Sequence, residues 1–304
     1  MTIKQVRVYS PGSIANLGPG FDVFGIAIEG VGDIVVLKET RELGVQISVQ
    51  GVGADKIPTD PEKNTSGAIL KHIQEEYEPR HGFSIEIRKG LPPGTGMGSS
   101  GASAAATTVA VNEMLGLKMR QRELVELAAL GEGASSGAPH ADNVAASLLG
   151  GFILVGENWE VIRLDAPKVG MVVVVPDIYI ENKTKKAREL LPQKVPLKDA
   201  VKNISHAARM ALAVSQNDAE GFGRNINDML IEPYRAAMIP NFWDVKQAAL
   251  DAGAYGCSIS GGGPSLFAVG DNIYEIGDAM KKAFGDIDST CYFTQPSNRG
   301  TRVI

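Results

Sequence analysis

Residues 90–108 read GLPPGTGMGSSGASAAATT, a glycine- and serine-rich loop that runs directly into an alanine-rich segment. Because alanine favours helix, the sequence predicts a helix that begins near Ser99. Glycines allow backbone N–H groups to approach an anion closely, and the first turn of a helix adds unpaired N–H donors and the positive end of its dipole. The stretch therefore predicts a binding site for a nucleotide or another phosphorylated ligand.

Two known nucleotide motifs fit this loop in part. Gly96, Gly98 and Gly101 form G-x-G-x-x-G, but that fingerprint also requires a carboxylate about 20 residues later, beyond the helix. The nearest candidate, Glu113, falls inside the predicted helix. The stretch from Gly96 also matches a Walker A loop, except that Ala102 stands where the lysine would be. The charge of the phosphates must then be neutralised by another group, most simply a bound metal ion.

The composition is typical of an enzyme that acts on small molecules. The 304 residues are enough for two ordinary domains, and acidic and basic residues are interspersed with a formal net charge of −5, so no basic stripe favours nucleic acid or a membrane surface. The two cysteines, Cys257 and Cys291, form no C-x-x-C pair, which argues against a structural zinc site. The N-terminus has no signal-like apolar run, and VGMVVVV from Val169 is too short to span a bilayer. We expect a cytoplasmic enzyme without nucleic-acid or membrane partners.

The apolar pattern predicts an α+β fold in two parts. Strands are expected at residues 5–9, 21–28, 33–38, 45–49 and 83–88. The pattern changes near Asp165, and a second glycine-rich turn, SISGGGPS, begins at Ser258. We therefore expect domains at residues 1–165 and 166–304, with a ligand cleft between them.

A second serine motif suggests a different class of enzyme. Residues 133–137, GASSG, match the G-x-S-x-G nucleophile elbow of serine hydrolases with Ser135 as the nucleophile. An elbow requires a strand that enters the turn, whereas the preceding ELVELAALGEGA has helical spacing. Nothing in the sequence places His140 or His206 beside Ser135. A serine hydrolase is therefore the weaker alternative to a phosphate-handling enzyme.

Charged and polar residues lie on both sides of that serine pair. Glu132 precedes it, and His140, Asp142 and Asn143 follow it. Asp142 could simply cap the next helix. However, Mg²⁺ prefers few protein ligands together with phosphates and waters, so one carboxylate and one serine hydroxyl near a phosphate loop make a typical magnesium environment. We therefore favour a functional role for this cluster.

Three blocks of the chain together resemble the GHMP kinases, named for galactokinase, homoserine kinase, mevalonate kinase and phosphomevalonate kinase. The blocks are PGSIANLGPGFD from Pro11, LPPGTGMGSSGASAA from Leu91 and SISGGGPSLFA from Ser258. Within this superfamily the homoserine kinases are the most similar, on the segments TDPEKN at Thr59, SSGAPHADNVA at Ser135, TKKAREL at Thr184 and IEPYR at Ile231. The alternative is another GHMP small-molecule kinase, of mevalonate, shikimate or sugar type. The resemblance implies an N-terminal ribosomal-protein-S5-like α/β domain and a C-terminal ferredoxin-like domain.

The resemblance also implies a reaction. ATP would phosphorylate L-homoserine to O-phospho-L-homoserine, a step toward threonine, with Mg²⁺ as the metal. The sequence leaves the oligomeric state open, with a homodimer as the candidate assembly. The residues implied for the nucleotide are Asn64, Pro93, Gly94, Thr95, Gly96, Met97, Gly98, Ser99, Ser100 and Gly101. Those implied for the metal are Ser100 and Glu132. Those implied for homoserine are Asn16, Asp22, His140, Asn143, Thr184, Arg188 and Arg235.

Each polar group of homoserine has an implied partner. Arg188 and Arg235 would bind the carboxylate, Asp22 the ammonium group and Asn143 the hydroxyl. Asp142 matches the aspartate proposed as the base in mevalonate kinase, but Ser13 stands where the mevalonate-type enzymes have a lysine. A carboxylate with an ordinary pKa near 4 accepts an alcohol proton poorly. Asp142, Asn143 and Glu132 are thus the implied catalytic residues, and we expect Asp142 to orient Asn143 or a water and not to be an essential base.

Overall fold

The first half of the chain forms a mixed sheet. The computed structural model describes residues 4–136, 141–178, 180 and 183–304, without the side chains of residues 135, 136, 184 and 185. Within those residues the sheet has seven strands: β1 (Gln5–Ala15), β2 (Phe24–Thr40), β3 (Val45–Gly51), β4 (Gly82–Lys89), β5 (Phe152–Val155), β6 (Val161–Leu164) and β11 (Arg302–Val303). The order is β11-β1-β2-β4-β3, and β5 pairs with β2 and β6. Only β3 and β4 pair in parallel within the described sheet.

Four helices of the first half pack together on this sheet. They are α1 (Thr65–Tyr77), α2 (Ser99–Leu115), α3 (Gln121–Ser136) and α4 (Ala141–Leu149). Helix α2 contacts β1, β2 and the other three helices. Its run of alanines is buried on nearly all sides, as expected of a helix without a polar face. The predicted start of this helix at Ser99 is confirmed.

The second half forms an antiparallel sheet with the order β10-β7-β9-β8. Its strands are β7 (Gly170–Pro176), β8 (Gly256–Ile259), β9 (Leu266–Gly270) and β10 (Ser289–Thr294). Its helices are α5 (Lys183–Glu189), α6 (Leu197–Ser215), α7 (Ala219–Arg224), α8 (Glu232–Arg235), α9 (Phe242–Asp251) and α10 (Ile273–Ala283). The α+β class predicted from the sequence is confirmed.

One hydrophobic cluster joins the two halves. Ile14 and Phe24 from the first sheet pack in the same cluster as Met171, Phe222 and Phe267 from the second half. The proposed boundary at Asp165 falls between β6 and β7 and stays a prediction. Residues beyond the second sheet return to the first, because β11 pairs with β1 and the backbone N–H of Ser297 donates to Ala27. Buried apolar contacts and this return of the chain therefore hold the two halves together.

Two local predictions are corrected. The separate strands expected at residues 21–28 and 33–38 form the single strand β2, which begins at Phe24 because residues 21–23 belong to a turn. Ser135 lies near the end of α3, which runs to Ser136, so no strand enters the GASSG segment and the hydrolase alternative does not hold. Among the described residues, no helix combines the length and apolar character needed to cross a bilayer.

Candidate active site

The glycine loop has a backbone that only glycine adopts easily. Gly94, Gly96 and Gly98 have φ angles of 76°, 88° and 66°. Gly98 is also the N-cap of α2, so it has no side chain to occupy the first N–H groups of that helix. A Cβ atom at Gly98 would overlap the hydroxyl of Ser13, and one at Gly96 would overlap the carbonyl of Ser260. The loop is thus fixed between the first and third glycine-rich blocks, with helix N–H groups free for an anion.

Side chains of the third block hold this loop directly. Ser260 Oγ donates to the carbonyl of Gly96 at 2.9 Å, and Ser265 Oγ donates to the carbonyl of Thr95. The backbone N–H of Gly261 donates to Ala15 in the first block. The three blocks that are far apart in the sequence therefore meet at one place.

A cavity of about 340 Å³ opens where the blocks meet. The predicted residues that line it are Asn16, Asp22, Asn64, Pro93, Gly94, Gly96, Gly98, Ser99, Ser100, Glu132, Asp142, Asn143, Arg188 and Arg235. The structure therefore brings together most of the site expected from the sequence. His140 and the side chain of Thr184 lie outside the described residues.

Three predicted loop residues do not line the cavity. Thr95 Oγ1 donates to the carbonyl of Pro92, and the side chain of Met97 is buried in the cluster that joins the two halves. Gly101 packs against Asn143. These three residues support the conformation of the loop through contacts within the protein and do not line the ligand cavity.

Two other predicted nucleotide residues use their side chains within the protein. Ser99 Oγ donates to the carbonyl of Leu91 at 3.0 Å, so its hydroxyl holds the loop. The amide of Asn64 caps α1, accepting from the N–H of Ser66 at 2.9 Å and donating to the carbonyl of Pro58 at 2.7 Å. What Ser99 offers an anion is its backbone N–H at the start of α2.

Ser100 and Glu132 form the proposed magnesium pair. Ser100 Oγ donates to Glu132 Oε1 at 2.9 Å. Burial raises the pKa of Glu132, while the Ser100 hydroxyl and the cations of Lys89 and Lys183 oppose that rise. A divalent cation beside this carboxylate would remove the cost of its buried charge, and an oxygen pair next to phosphates suits Mg²⁺. The residues present therefore fit a magnesium ion.

A buried ion pair lies beneath the glycine loop and was not anticipated from the sequence. Lys89 Nζ pairs with the carboxylate of Asp33 and donates to the carbonyl of Ser99 at 2.8 Å. Asp33 also accepts from the backbone N–H groups of Gly90 and Leu91. Burial lowers the pKa of Lys89, although Asp33 favours its charged form. The only sequence signal is a lone aspartate within the apolar strand β2.

The far end of the cavity carries opposite charges side by side. Arg188 Nη2 donates to both oxygens of Asp22, at 2.9 and 3.1 Å. Arg235 is buried and donates to the carbonyls of Ala187 and Gly261, each at 3.3 Å. Phe21, which sequence reasoning missed, places its ring 5.6 Å from the Arg188 guanidinium carbon and 5.0 Å from that of Arg235. The Phe21 ring thus makes cation–π contacts with both guanidinium groups, which stabilises two positive charges that lie close together.

Asn16 holds this end of the cavity in shape. Its Nδ2 donates to the carbonyl of Gly261 at 2.9 Å, and its Oδ1 accepts from the backbone N–H of Asp22 at 3.1 Å. Asn16 has a φ of 71° and Asp22 one of 57°, so the turn between them is strained unless it is held. The predicted wall residue therefore positions Asp22.

Asp142 and Asn143 occupy the middle of the cavity. Asn143 Oδ1 accepts from Ser13 Oγ at 3.0 Å, and its backbone N–H donates to Asp142 Oδ1 at 2.7 Å. Burial raises the pKa of Asp142 to about 7, and the neighbouring charges of Asp22 and Glu132 add to the effect. The ordinary pKa near 4 assumed from the sequence is therefore wrong, and the corrected value suits proton transfer near neutral pH.

Lys183, at the start of α5, is a further residue that the sequence did not single out. The residue lines the cavity, and its Nζ donates to the carbonyl of Gly263 at 2.6 Å. Burial and then the charge of Arg235 lower its pKa to about 8, while Glu132 acts in the opposite direction. An amine here can carry a positive charge between the two ends of the cavity.

Comparisons with known proteins show the family of the chain. The model of the GHMP kinases N terminal domain matches residues 64–151, and that of the GHMP kinases C terminal matches residues 210–286. The homoserine kinase of Pyrococcus abyssi is 45% identical over 92% of this chain and 93% of that protein. That of Methanocella arvoryzae is 42% identical over 99% of this chain and 98% of that protein.

Solved structures show the same fold. The crystal structure of homoserine kinase from Cytophaga hutchinsonii has a TM-score of 0.91 and 38% identity, covering 100% of this chain and 99% of that one. L. major mevalonate kinase, at 19% identity, has a TM-score of 0.71 over 95% of each chain, which shows the shared fold alone. The chain therefore belongs to the GHMP kinases and is an ATP-dependent small-molecule kinase.

Proposed function

We propose that the protein is a homoserine kinase, which transfers the γ-phosphoryl group of ATP to the hydroxyl of L-homoserine and forms O-phospho-L-homoserine in threonine biosynthesis. One observation carries the choice of acceptor. Arg188, Arg235 and the carboxylate of Asp22 line the same cavity as the glycine loop. Two cations and one anion match the carboxylate and ammonium groups of an amino acid, whereas sugars have neither group and mevalonate and shikimate lack the ammonium.

The nucleotide end of the cavity suits the triphosphate. The backbone N–H groups at the start of α2 and the positive-φ glycines would bind phosphate oxygens. Ser100 and Glu132 would hold Mg²⁺, which supplies charge neutralisation at the phosphates when bound. Ala102 offers no cation at this point of the loop, so the metal matters more here than in a loop with its own lysine.

Binding of homoserine would break the ion pair between Asp22 and Arg188, and each of these side chains would then pair with a charged group of the substrate. Asp22 and Arg188 are paired with each other, and both side chains are more than one-third exposed, so their separation costs little. The carboxylate of homoserine would then join Arg188 and Arg235, and its ammonium group would join Asp22. Asn143, held by Ser13, would receive the hydroxyl.

Three observations support Asp142 as the acceptor of the hydroxyl proton. It lines the cavity beside Asn143, and its pKa of about 7 lies in the range where a carboxylate acts as an efficient base. The hydrogen bond from the backbone N–H of Asn143 fixes the carboxylate in place. We therefore propose Asp142 as the proton acceptor, in place of the purely orienting role expected from the sequence.

The experiment that tests this function measures ADP release with a panel of acceptors. Homoserine should react, while mevalonate, shikimate and galactose should not. Two truncated alcohols sharpen the test: 4-hydroxybutyrate lacks the ammonium group and 3-amino-1-propanol lacks the carboxylate. Loss of either charged contact should reduce kcat/KM by about 10²-fold or more, as charged hydrogen bonds contribute strongly. Equal turnover of homoserine and a truncated alcohol would contradict the assignment of the charged end.

We also propose that the protein works in the cytoplasm. Cys257 and Cys291 are both free, which suits the reducing cytoplasm.

A further inference from the structure

The glycine loop lacks the cation that usually accompanies a phosphate loop, because Ala102 occupies that position. A chain without that lysine still needs positive charge at the phosphoryl group that moves. The cations that line the cavity are therefore worth comparing by the partners that each already has. They are Lys56, Lys63, Lys89, Lys183, Arg188 and Arg235.

Most of these cations already form ion pairs or hydrogen bonds within the protein. Lys89 is buried against Asp33 beneath the loop, and Arg188 is paired with Asp22 at the acceptor end. Arg235 donates to two backbone carbonyls at that same end. Lys56 and Lys63 are both exposed, and Lys63 pairs with Asp60. These groups serve the base of the loop, the acceptor or the rim.

Lys183 differs because its amine lies over the third glycine-rich block. Nζ donates to the carbonyl of Gly263 at 2.6 Å, and it lies 4.0 Å from where a Cβ atom of Gly262 would be. The same block holds the phosphate loop through Ser260 and Ser265. An ammonium group has three N–H donors, so one bond to a carbonyl leaves two for a ligand.

The neighbours of Lys183 indicate which chemical group its amine would bind. Lys183 lines the same cavity as Glu132 of the proposed metal pair and Arg235 of the acceptor end, and its charge interacts with both groups. A phosphoryl group in transfer must lie between the metal and the acceptor hydroxyl. A phosphoryl group held between Glu132 and Arg235 would therefore lie in the same cavity as the Lys183 amine.

We propose that the Lys183 ammonium group binds the γ-phosphoryl group of the nucleotide and supplies the charge that the phosphate loop lacks. The bond between phosphorus and the β,γ-bridging oxygen breaks and its electron pair leaves with ADP, the acceptor oxygen bonds to phosphorus, and the hydroxyl proton goes to Asp142. Lys183 keeps its protons throughout and donates hydrogen bonds to the phosphoryl oxygens. The proposal rests on the proposed phosphoryl transfer but not on the identity of the acceptor.

The test compares nucleotides with and without a γ-phosphate, in the presence of Mg²⁺ and without acceptor. Calorimetry would measure the affinity of the full chain for ADP and for the non-hydrolysable β,γ-imido analogue of ATP. Lys183→Gln should weaken binding of the analogue by about 10-fold and that of ADP by less than about 2-fold, because only the analogue has the group that the amine contacts. Lys183→Arg should restore most of the affinity for the analogue. Lys186→Gln, on the exposed side of the same helix, is the matched control.

Turnover with homoserine gives a second readout. Lys183→Gln should lower kcat by about 10- to 10³-fold, as expected for loss of one group that stabilises charge in the transition state. Equal weakening of ADP and the analogue, or a lower melting temperature with no discrimination between them, would show that Lys183 only holds Gly263 and would overturn the proposal. If Lys183→Gln weakens binding of the analogue selectively but the wild-type protein does not phosphorylate homoserine, the acceptor assignment fails and the role of Lys183 stands.

Discussion

At Asp142, burial changes what the identity of the side chain alone implies. Its pKa of about 7 means that the group is protonated below that pH and ionised above it in the free enzyme. If the ionised form accepts the hydroxyl proton, kcat/KM for homoserine should fall about tenfold for each pH unit below about 7. The pH profile, measured at saturating ATP and Mg²⁺, checks this limb.

Asp142→Asn tests the same assignment by removal of the base. The amide oxygen can still accept from the backbone N–H of Asn143, so the loop geometry should survive. We expect kcat to fall by about 10²- to 10⁴-fold and the acidic limb to disappear. A small loss of kcat with a raised KM for homoserine would instead restore the orienting role that the sequence suggested.

Arg235 should govern the affinity for the acceptor. Arg235→Leu removes a cation from the end of the cavity where Asp22 and Arg188 lie, so the KM for homoserine should rise about 10²-fold while that for ATP changes little. Arg209→Leu, an exposed substitution on α6, is the control for loss of an arginine. Since Arg235 is buried, a thermal melt must show that the variant is folded. Equal rises in both KM values would mean that the arginine is structural.

Glu132 should govern the response to magnesium. In Glu132→Gln the amide oxygen can still accept a hydrogen bond from the Ser100 hydroxyl, so the fold should be kept. The variant loses the negative charge that attracts the metal ion. We expect kcat to fall by about 10²- to 10³-fold and the magnesium concentration for half-maximal rate to rise. Titration of the rate with Mg²⁺ provides the measurement. Near-normal turnover at limiting Mg²⁺ would remove Glu132 from the metal site.

At the scale of the element, α2 offers an internal comparison between its two ends. Gly98 at its start and Gly116 at its end have φ angles of 66° and 65°, but only Gly98 faces crowded atoms. Alanine at Gly116 should cost about 1 kcal/mol of unfolding free energy from the left-handed backbone alone. Gly98→Ala should cost more, because its Cβ meets Ser13 and Asn143, and should also weaken nucleotide binding. Denaturant unfolding of both variants checks the difference, and equal losses would show that the loop yields freely.

Helix α6 carries an apolar stripe on its outer side. Leu197, Val201, Ile204 and Leu212 are 79%, 57%, 66% and 55% exposed, at helical spacing. If the expected homodimer forms, this stripe is the surface that it would cover. Ile204→Glu should then convert a dimer into a monomer in analytical ultracentrifugation, whereas Lys202→Glu on another face should not. A monomeric wild-type protein at micromolar concentration would make the dimer expectation wrong.

The elements show how far sequence alone could lead. The phosphate loop and the start of α2 were predictable, because glycine, serine and alanine act through local backbone preferences. The two-residue strand β11 was not, since so short a segment has no period to detect. The sequence predicts two strands in place of the single strand β2, because Gly30 and Gly32 interrupt the apolar pattern, whereas pairing with β1 on both sides of these glycines holds the strand together.

At the scale of the whole molecule, the site could be predicted where residues belong to recognisable blocks. Asp22, Arg188 and Arg235 lie in such blocks, and the fold brings them together. Lys183 and Lys89 carry no pattern, so only packing reveals that they reach the same cavity. The pKa of Asp142 likewise follows from burial, which no residue spacing encodes.

The return of the chain to its first sheet has a consequence for synthesis. Strand β1 pairs with β11 through Val8 and Val303, and the backbone N–H of Ile304 donates to Arg7. A ribosome makes residues 295–304 after all the strands that they join, so one edge of the first sheet stays unpaired while the second half is being translated. An open strand edge is a template for pairing with another nascent chain. Pairing of residues 302–303 with Val8 and Tyr9 is therefore the step that covers this part of the edge and reduces that hazard.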